Sequence, residues 1–133
     1  MLYMLDTNAA SAAMRGTPAV DEQLRRLQPR DWCISAITRA ELRYGLALRP
    51  ASLKLARLVE GFLEVARTAA WDAAAADEHG RLRAGLRLRG TPIGDFDEMI
   101  AAHAVALGAV LVTDNVKHFE RVEGLRLANW LRA

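Results

Sequence analysis

The sequence predicts an α/β fold, a short parallel sheet flanked by helices, and three observations carry that prediction. Short apolar runs alternate with longer helix-like stretches along the whole chain, the pattern of repeated strand–helix units. Leu2 to Leu5 and Ala109 to Val112 are unbroken apolar runs, as expected of strands buried on both faces. Acid-bearing stretches then stand where an apolar run yields to a helical pattern: Leu5-Asp6-Thr7-Asn8, Thr38-Arg39-Ala40-Glu41-Leu42, Asp95-Phe96-Asp97-Glu98 and Thr113-Asp114-Asn115.

Taken in order, Leu2 to Leu5 is the first strand and Thr7 to Met14 the first helix, broken by Arg15-Gly16-Thr17-Pro18. Val20 to Leu27 is helical and ends at Pro29, and Trp32 to Ile37, rich in β-formers, is the second strand. Arg39 to Leu48 reads as a helix that stops before Pro50. Ser52 to Ala66 is amphipathic, with Leu55, Leu58, Val59, Phe62 and Leu63 on one stripe. Thr68 to Trp71 is a short third strand, and Ala73 to Arg89 a helix ended by Gly90-Thr91-Pro92. Phe96 to Leu107 is helical, with Gly108 as its C-terminal cap. After the strand Ala109 to Val112 come a short helix, Val116 to Val122, and a last strand within Leu125 to Leu131.

The 133 residues suit one domain, and an apolar share of 52% supports a packed core over disorder. A single cysteine, Cys33, excludes an intramolecular disulfide framework and reads as a small buried hydrophobe. No charged-then-apolar leader and no long apolar span appears, which predicts a cytoplasmic protein without membrane attachment. The net charge of +2 is too small to establish a polyanionic partner by itself. Arginine dominates the basic residues, with lysine only at positions 54 and 117. Arginine suits bidentate phosphate contacts, and an Arg/Ala coding bias gives the same composition.

In an open parallel sheet, the loops at the carboxyl ends of the strands converge on one crevice. Carboxylates gathered there repel one another unless a cation joins them. Oxygen ligands without a Cys/His partner set favour Mg²⁺ or Mn²⁺, and an acidic site of that kind on a mildly basic protein points to phosphodiester hydrolysis. Helix capping is the competing reading at each stretch. Thr38-x-x-Glu41 and Asp95-x-x-Glu98 both fit a capping box. Asp6 or Thr7, and Asp114 or Asn115, can cap the helices they precede. Asp97 is surplus to its box.

Met4-Leu5-Asp6-Thr7-Asn8, Ile34 to Thr38 with Ala40-Glu41-Leu42, Pro92-Ile93-Gly94 with Phe96-Asp97 and Ile100 to Ala104, and Leu111 to Asn115 with His118-Phe119 resemble the PIN domain. More narrowly, they resemble the VapC-type toxins of bacterial toxin–antitoxin pairs. The resemblance spans essentially the whole chain. It implies a PIN-like three-layer sandwich and an Mg²⁺- or Mn²⁺-dependent endoribonuclease that cleaves structured RNA, tRNA or rRNA, and arrests translation. Matched by position, Asp6, Glu41 and Asp97 take the three core metal-binding carboxylates. Asn115 falls at the fourth position, with Asp114 as its neighbour and competitor. The resemblance also implies a homodimer and a cognate antitoxin whose tail enters the acidic crevice. The Ser52 to Ala66 helix serves the dimer, the antitoxin or simply the core.

Chemically, water attack on a phosphodiester would leave a 5′-phosphate and a 3′-OH, with Thr7, Asn8 and Thr113 holding the ligands in place. His103, among alanines and apolar residues, reads as structural; His79 and His118 carry no pairing signal. Arg81, Arg83, Arg87 and Arg89 form a basic stretch that either follows an RNA backbone or is a solvated helix face. With few aromatics, RNA shape is expected to matter more than base stacking. The competing functions are a PIN nuclease of RNA maturation without an antitoxin, a PIN-like interaction domain without catalysis, and a Mg²⁺-binding receiver-like signalling module. The receiver would need an acidic pair at the first strand and a lysine ending the last, and neither is present in that form.

Overall fold

The computed structural model describes residues 1–132. Its elements are β1 (Tyr3–Leu5), α1 (Thr7–Met14), α2 (Pro18–Arg25), β2 (Trp32–Ser35), α3 (Ala36–Ala47), α4 (Leu53–Val65), β3 (Thr68–Ala69), α5 (Ala73–Leu88), α6 (Asp95–Leu107), β4 (Val110–Val112), α7 (Val116–Phe119) and β5 (Arg126–Ala128). The strands form one sheet in the order β3-β2-β1-β4-β5, with every neighbouring pair parallel.

Side chains alternate across a strand, and the register uses that alternation to build two cores. Met4, Cys33 and Leu111 lie in register and pack with Leu82, Leu86 and Ile100 from α5 and α6. Leu5, Ile34 and Val112, also in register, pack on the opposite face with Ala9, Ala10, Leu42, Val59 and Phe62 from α1, α3 and α4. Each fully buried side chain of this size stabilises the fold by ~1.5–3 kcal/mol, so both faces require a helical cover. The result is a three-layer sandwich. The apolar stripe of α4 is core, since Val59, Phe62 and Leu63 are buried. Cys33 is buried too, and burial pushes its thiol pKa up.

The main departure from the sequence expectation lies at the β2–α3 junction. The strand stops at Ser35, and the helix starts at Ala36 rather than Arg39. Ser35 is the cap: its Oγ accepts a hydrogen bond from the Ile37 N–H at 3.0 Å. Thr38 is therefore inside the helix, and the Thr38/Glu41 capping box does not form. At the far end of α6, Gly108 adopts the left-handed conformation (φ 66°) expected of a C-terminal cap.

The connectivity places the functional edge. From β1 the chain moves to β2 and β3 on one side, then crosses to β4 and β5 on the other. The order reverses at β1/β4, the position where open α/β sheets form a crevice beyond the carboxyl ends of the strands. Leu5 pairs with both Ile34 and Val112, so the next residues, Asp6, Ser35 and Thr113, emerge at one edge. A 3.0 Å bond from the Asp6 N–H to the Val112 carbonyl fixes that alignment.

Candidate active site

Asp6 stands at the centre of this edge. It is 4% exposed, and as the cap of α1 its Oδ1 accepts the Ala9 N–H at 2.8 Å. Burial raises its pKa above the ordinary carboxylate value, and the charges of Asp97 and Glu41 raise it further, against relief from the Thr113 hydroxyl and the Ala9 N–H. Capping and site membership are thus not exclusive here. One oxygen serves the helix while the carboxylate feels two like charges from α3 and α6.

Each of those two carboxylates has its own support. Glu41, on α3, accepts a 2.6 Å hydrogen bond at Oε1 from the Thr7 hydroxyl, which also lies 3.3 Å from the Thr38 hydroxyl. Asp97 sits in the first turn of α6 with Asp95 and Glu98, where the helix dipole favours negative charge. Its Oδ2 lies 3.0 Å from His118 Nε2. His118, which carries no pairing signal in the sequence, thereby joins the site from α7.

The fourth position divides Asn115 from Asp114. Asp114 is engaged by Arg132 Nε at 2.7 Å and Asn129 Nδ2 at 3.1 Å, and these donors hold its carboxyl below the usual range. Asn115 is exposed, its side chain does not cap α7, and its N–H donates to Thr113 Oγ1 at 2.9 Å. The geometry ties Asp114 to the C-terminal segment and leaves the Asn115 side chain at the mouth of the β4 edge. Asn8 is likewise exposed beside Asp6.

The second capping box also fails. Gly94 occupies the cap position of α6, while Asp95 is exposed and 3.7 Å from Arg83. Glu98 is 1% exposed; its Oε2 accepts the Ile93 N–H at 3.2 Å and its Oε1 lies 3.8 Å from Arg83 Nε. This buried carboxylate anchors the loop that delivers Asp97. Nothing in its spacing distinguishes it from a surface glutamate.

His103 is structural, as its apolar surroundings suggested. It is buried, its Nδ1 lies 2.7 Å from Ser35 Oγ, and Trp71 meets its ring edge-on. Burial pushes its pKa down, so it pins α6 to β2 in the neutral form. The basic stretch on α5 is largely committed internally. Arg81 pairs with Glu78, Arg83 with Asp95 and Glu98, and Arg89 lies 3.9 Å from Glu123, while Arg87 is exposed.

Among the described residues, no three His, Cys, Asp or Glu side chains stand close enough together to hold a metal ion. The donors of Asp6, Glu41, Asp97 and Asn115 fit a hard divalent cation in kind, since they are all oxygen.

Comparison with known proteins agrees with this architecture. The PIN domain family model matches residues 3–125. A tRNA(fMet)-specific endonuclease VapC from Shigella flexneri is 39% identical over 96% of this chain and 97% of its own length. Ribonuclease VapC2 from Rickettsia felis is 36% identical over 98% of both. The structure is similar to VapBC2 from Rickettsia felis bound to a promoter DNA fragment (TM-score 0.90, 34% identity, covering 98% of this chain and 99% of that one). It is also similar to DNA-bound VapBC from Salmonella typhimurium (TM-score 0.88, 39% identity, the same coverage). No helix among the described residues is long and apolar enough to cross a membrane. A family match over nearly the whole chain, joined to relatives and folds of this likeness, shows that the protein belongs to the PIN-domain family as a VapC-type ribonuclease toxin of a bacterial toxin–antitoxin pair.

Proposed function

We propose that the protein is an Mg²⁺- or Mn²⁺-dependent endoribonuclease that cuts structured RNA by water attack, inhibits translation, and is restrained by a cognate antitoxin. The observation that carries this reading is the convergence on Asp6 at the sheet's switch point: burial raises the pKa of this carboxylate, and the nearby charges of Asp97 and Glu41 raise it further. Asp6, Glu41, Asp97 and Asn115 would hold the ion, which supplies charge neutralisation at a scissile phosphate and makes a nearby water more acidic. The Thr7 hydroxyl orients Glu41, His118 orients Asp97, and the Ala9 N–H and Thr113 orient Asp6. Such supporting bonds hold an acidic site open for substrate without rearrangement.

A relative from Salmonella typhimurium, like the one from Shigella flexneri, is named a tRNA(fMet)-specific endonuclease, so initiator tRNA is the substrate to test first. The similar solved structures are VapBC complexes, which supports an antitoxin partner here, with a basic side chain entering the acidic crevice. We assign a homodimer and a cytoplasmic location to the same reading. Purified protein freed of antitoxin should cut initiator tRNA with Mg²⁺ or Mn²⁺, stop in EDTA, and leave 5′-phosphate ends. Cleavage that persists in EDTA, or yields 2′,3′-cyclic phosphate, assigns the chemistry to a metal-free mechanism instead.

A further inference from the structure

Glu41 separates two unlike hollows. On one side, Ala40, Glu41, Tyr44 and Phe96 bound a space of about 410 Å³, within the ~300–1,000 Å³ typical of small-ligand clefts. Tyr44 follows Glu41 by three positions on α3 and so shares its face, while Phe96 immediately precedes Asp97. Both rings stand in solvent, Tyr44 at 66% exposed and Phe96 at 57%. On the other side, a space of about 270 Å³ has a largely apolar lining that includes Leu42, Leu46 and Val59, with Glu41, Arg15 and Arg49 as its charged residues. Both arginines are exposed, and no carboxylate pairs with either among the described residues.

We propose that Tyr44 and Phe96 receive an unpaired base of the RNA beside Glu41, and that Arg15 and Arg49 hold the adjoining backbone phosphate. The inference rests on the ribonuclease reading and narrows its substrate to an unstacked nucleotide in a loop or single-stranded segment. Aromatic faces bind bases without requiring a particular sequence. Arginine forks bind phosphate oxygens. A carboxylate flanked by both matches the order base, scissile phosphate, next phosphate along a strand. A second copy of the chain seated on the aromatic pair would instead close the approach to Glu41. The aromatics are few, but two of them bound the hollow beside Glu41.

The test uses an RNA hairpin with 2-aminopurine in its loop, bound in EDTA so that binding is read without cleavage. The unsubstituted protein should quench or shift the 2-aminopurine signal and prefer the hairpin to a fully paired duplex. Tyr44→Ala with Phe96→Ala should weaken loop binding about 5- to 150-fold per stacked base and erase the signal, and Tyr44→Phe should retain both. Arg15→Gln with Arg49→Gln should reduce the slope of log affinity against log salt by about 0.7, the value for one single-strand phosphate contact. Unchanged loop preference in the aromatic double variant overturns the proposal, as does failure of the unsubstituted protein to bind the hairpin. Dissociation of a dimer by the same substitutions in sedimentation velocity also overturns it, and assigns the patch to an interface between copies. Loop binding through Tyr44 and Phe96 without any cleavage on adding Mn²⁺ would retain the base platform while rejecting the nuclease reading.

Discussion

His118 Nε2 lies 3.0 Å from Asp97 Oδ2, joining the short helix after β4 to the first turn of α6. The contact crosses from one acidic stretch to the segment following another, so it fixes the carboxylate at the crevice from outside its own helix. His118→Ala should lower RNA cleavage about 10- to 100-fold, the usual scale for removing a ligand's supporting bond, while RNA binding measured in EDTA stays unchanged. Full activity in the variant would make the contact incidental.

Thr7 plays the same part for Glu41 through its 2.6 Å bond. Thr7→Val keeps the shape and removes the donor. Its rate of RNA cleavage should fall by a similar factor, and Thr7→Ser should recover most of it. A loss of activity that Ser does not restore would indicate a packing effect of the methyl group.

Asp6 makes metal-free stability depend on pH. Its folded pKa is raised, so between the unfolded value and the folded one the native state binds the extra proton. Stability therefore falls as pH rises through that window, and the penalty is complete above it. Asp6→Asn preserves the helix cap and removes the penalty. In chelator at neutral pH, its urea midpoint should equal or exceed that of the unsubstituted protein. A clear loss of stability would show that the Asp6 charge is already compensated in the absence of metal.

His103 acts in the opposite sense. Its folded pKa is depressed mainly by burial, so the unfolded chain binds more protons. Stability is fully present above the unfolded value, near 6.5, and declines as pH falls toward the folded pKa. His103→Leu should cost about 1–3 kcal/mol at pH 7 by leaving the buried Ser35 hydroxyl with only the Ile37 N–H as partner. It should also flatten the stability difference between pH 7 and pH 5. Equal pH dependence in both proteins would exclude His103 as its source.

The strands and the two cores were legible because Leu2 to Leu5 and Ala109 to Val112 are apolar on both faces, a pattern only a covered parallel sheet rewards. Asp6, Glu41 and Asp97 were legible as acids beside helix starts, but their neighbourhood followed only from the resemblance and the register. The cap of α3 falls at Ser35 rather than Thr38 because Ser35, three residues earlier, offers the same hydroxyl chemistry. The parts played by His118, Glu98 and the Tyr44–Phe96 pair are not legible in the sequence for another reason. Their roles arise from contacts or hollows between α3, α5, α6 and α7 that leave no local periodicity.

Whether these carboxylates form one divalent-cation site is decided by the melting-temperature rise on titrating Mn²⁺ into the purified protein and its Glu41→Gln and Asp97→Asn variants. Binding to the native state contributes ~2.7 kcal/mol at a hundredfold excess over Kd, which corresponds to a shift of several degrees for a domain of this size. The unsubstituted protein should show that rise and each variant a much smaller one, with both variants folded. A full rise in both variants, or none in the unsubstituted protein, would contradict a shared cation site.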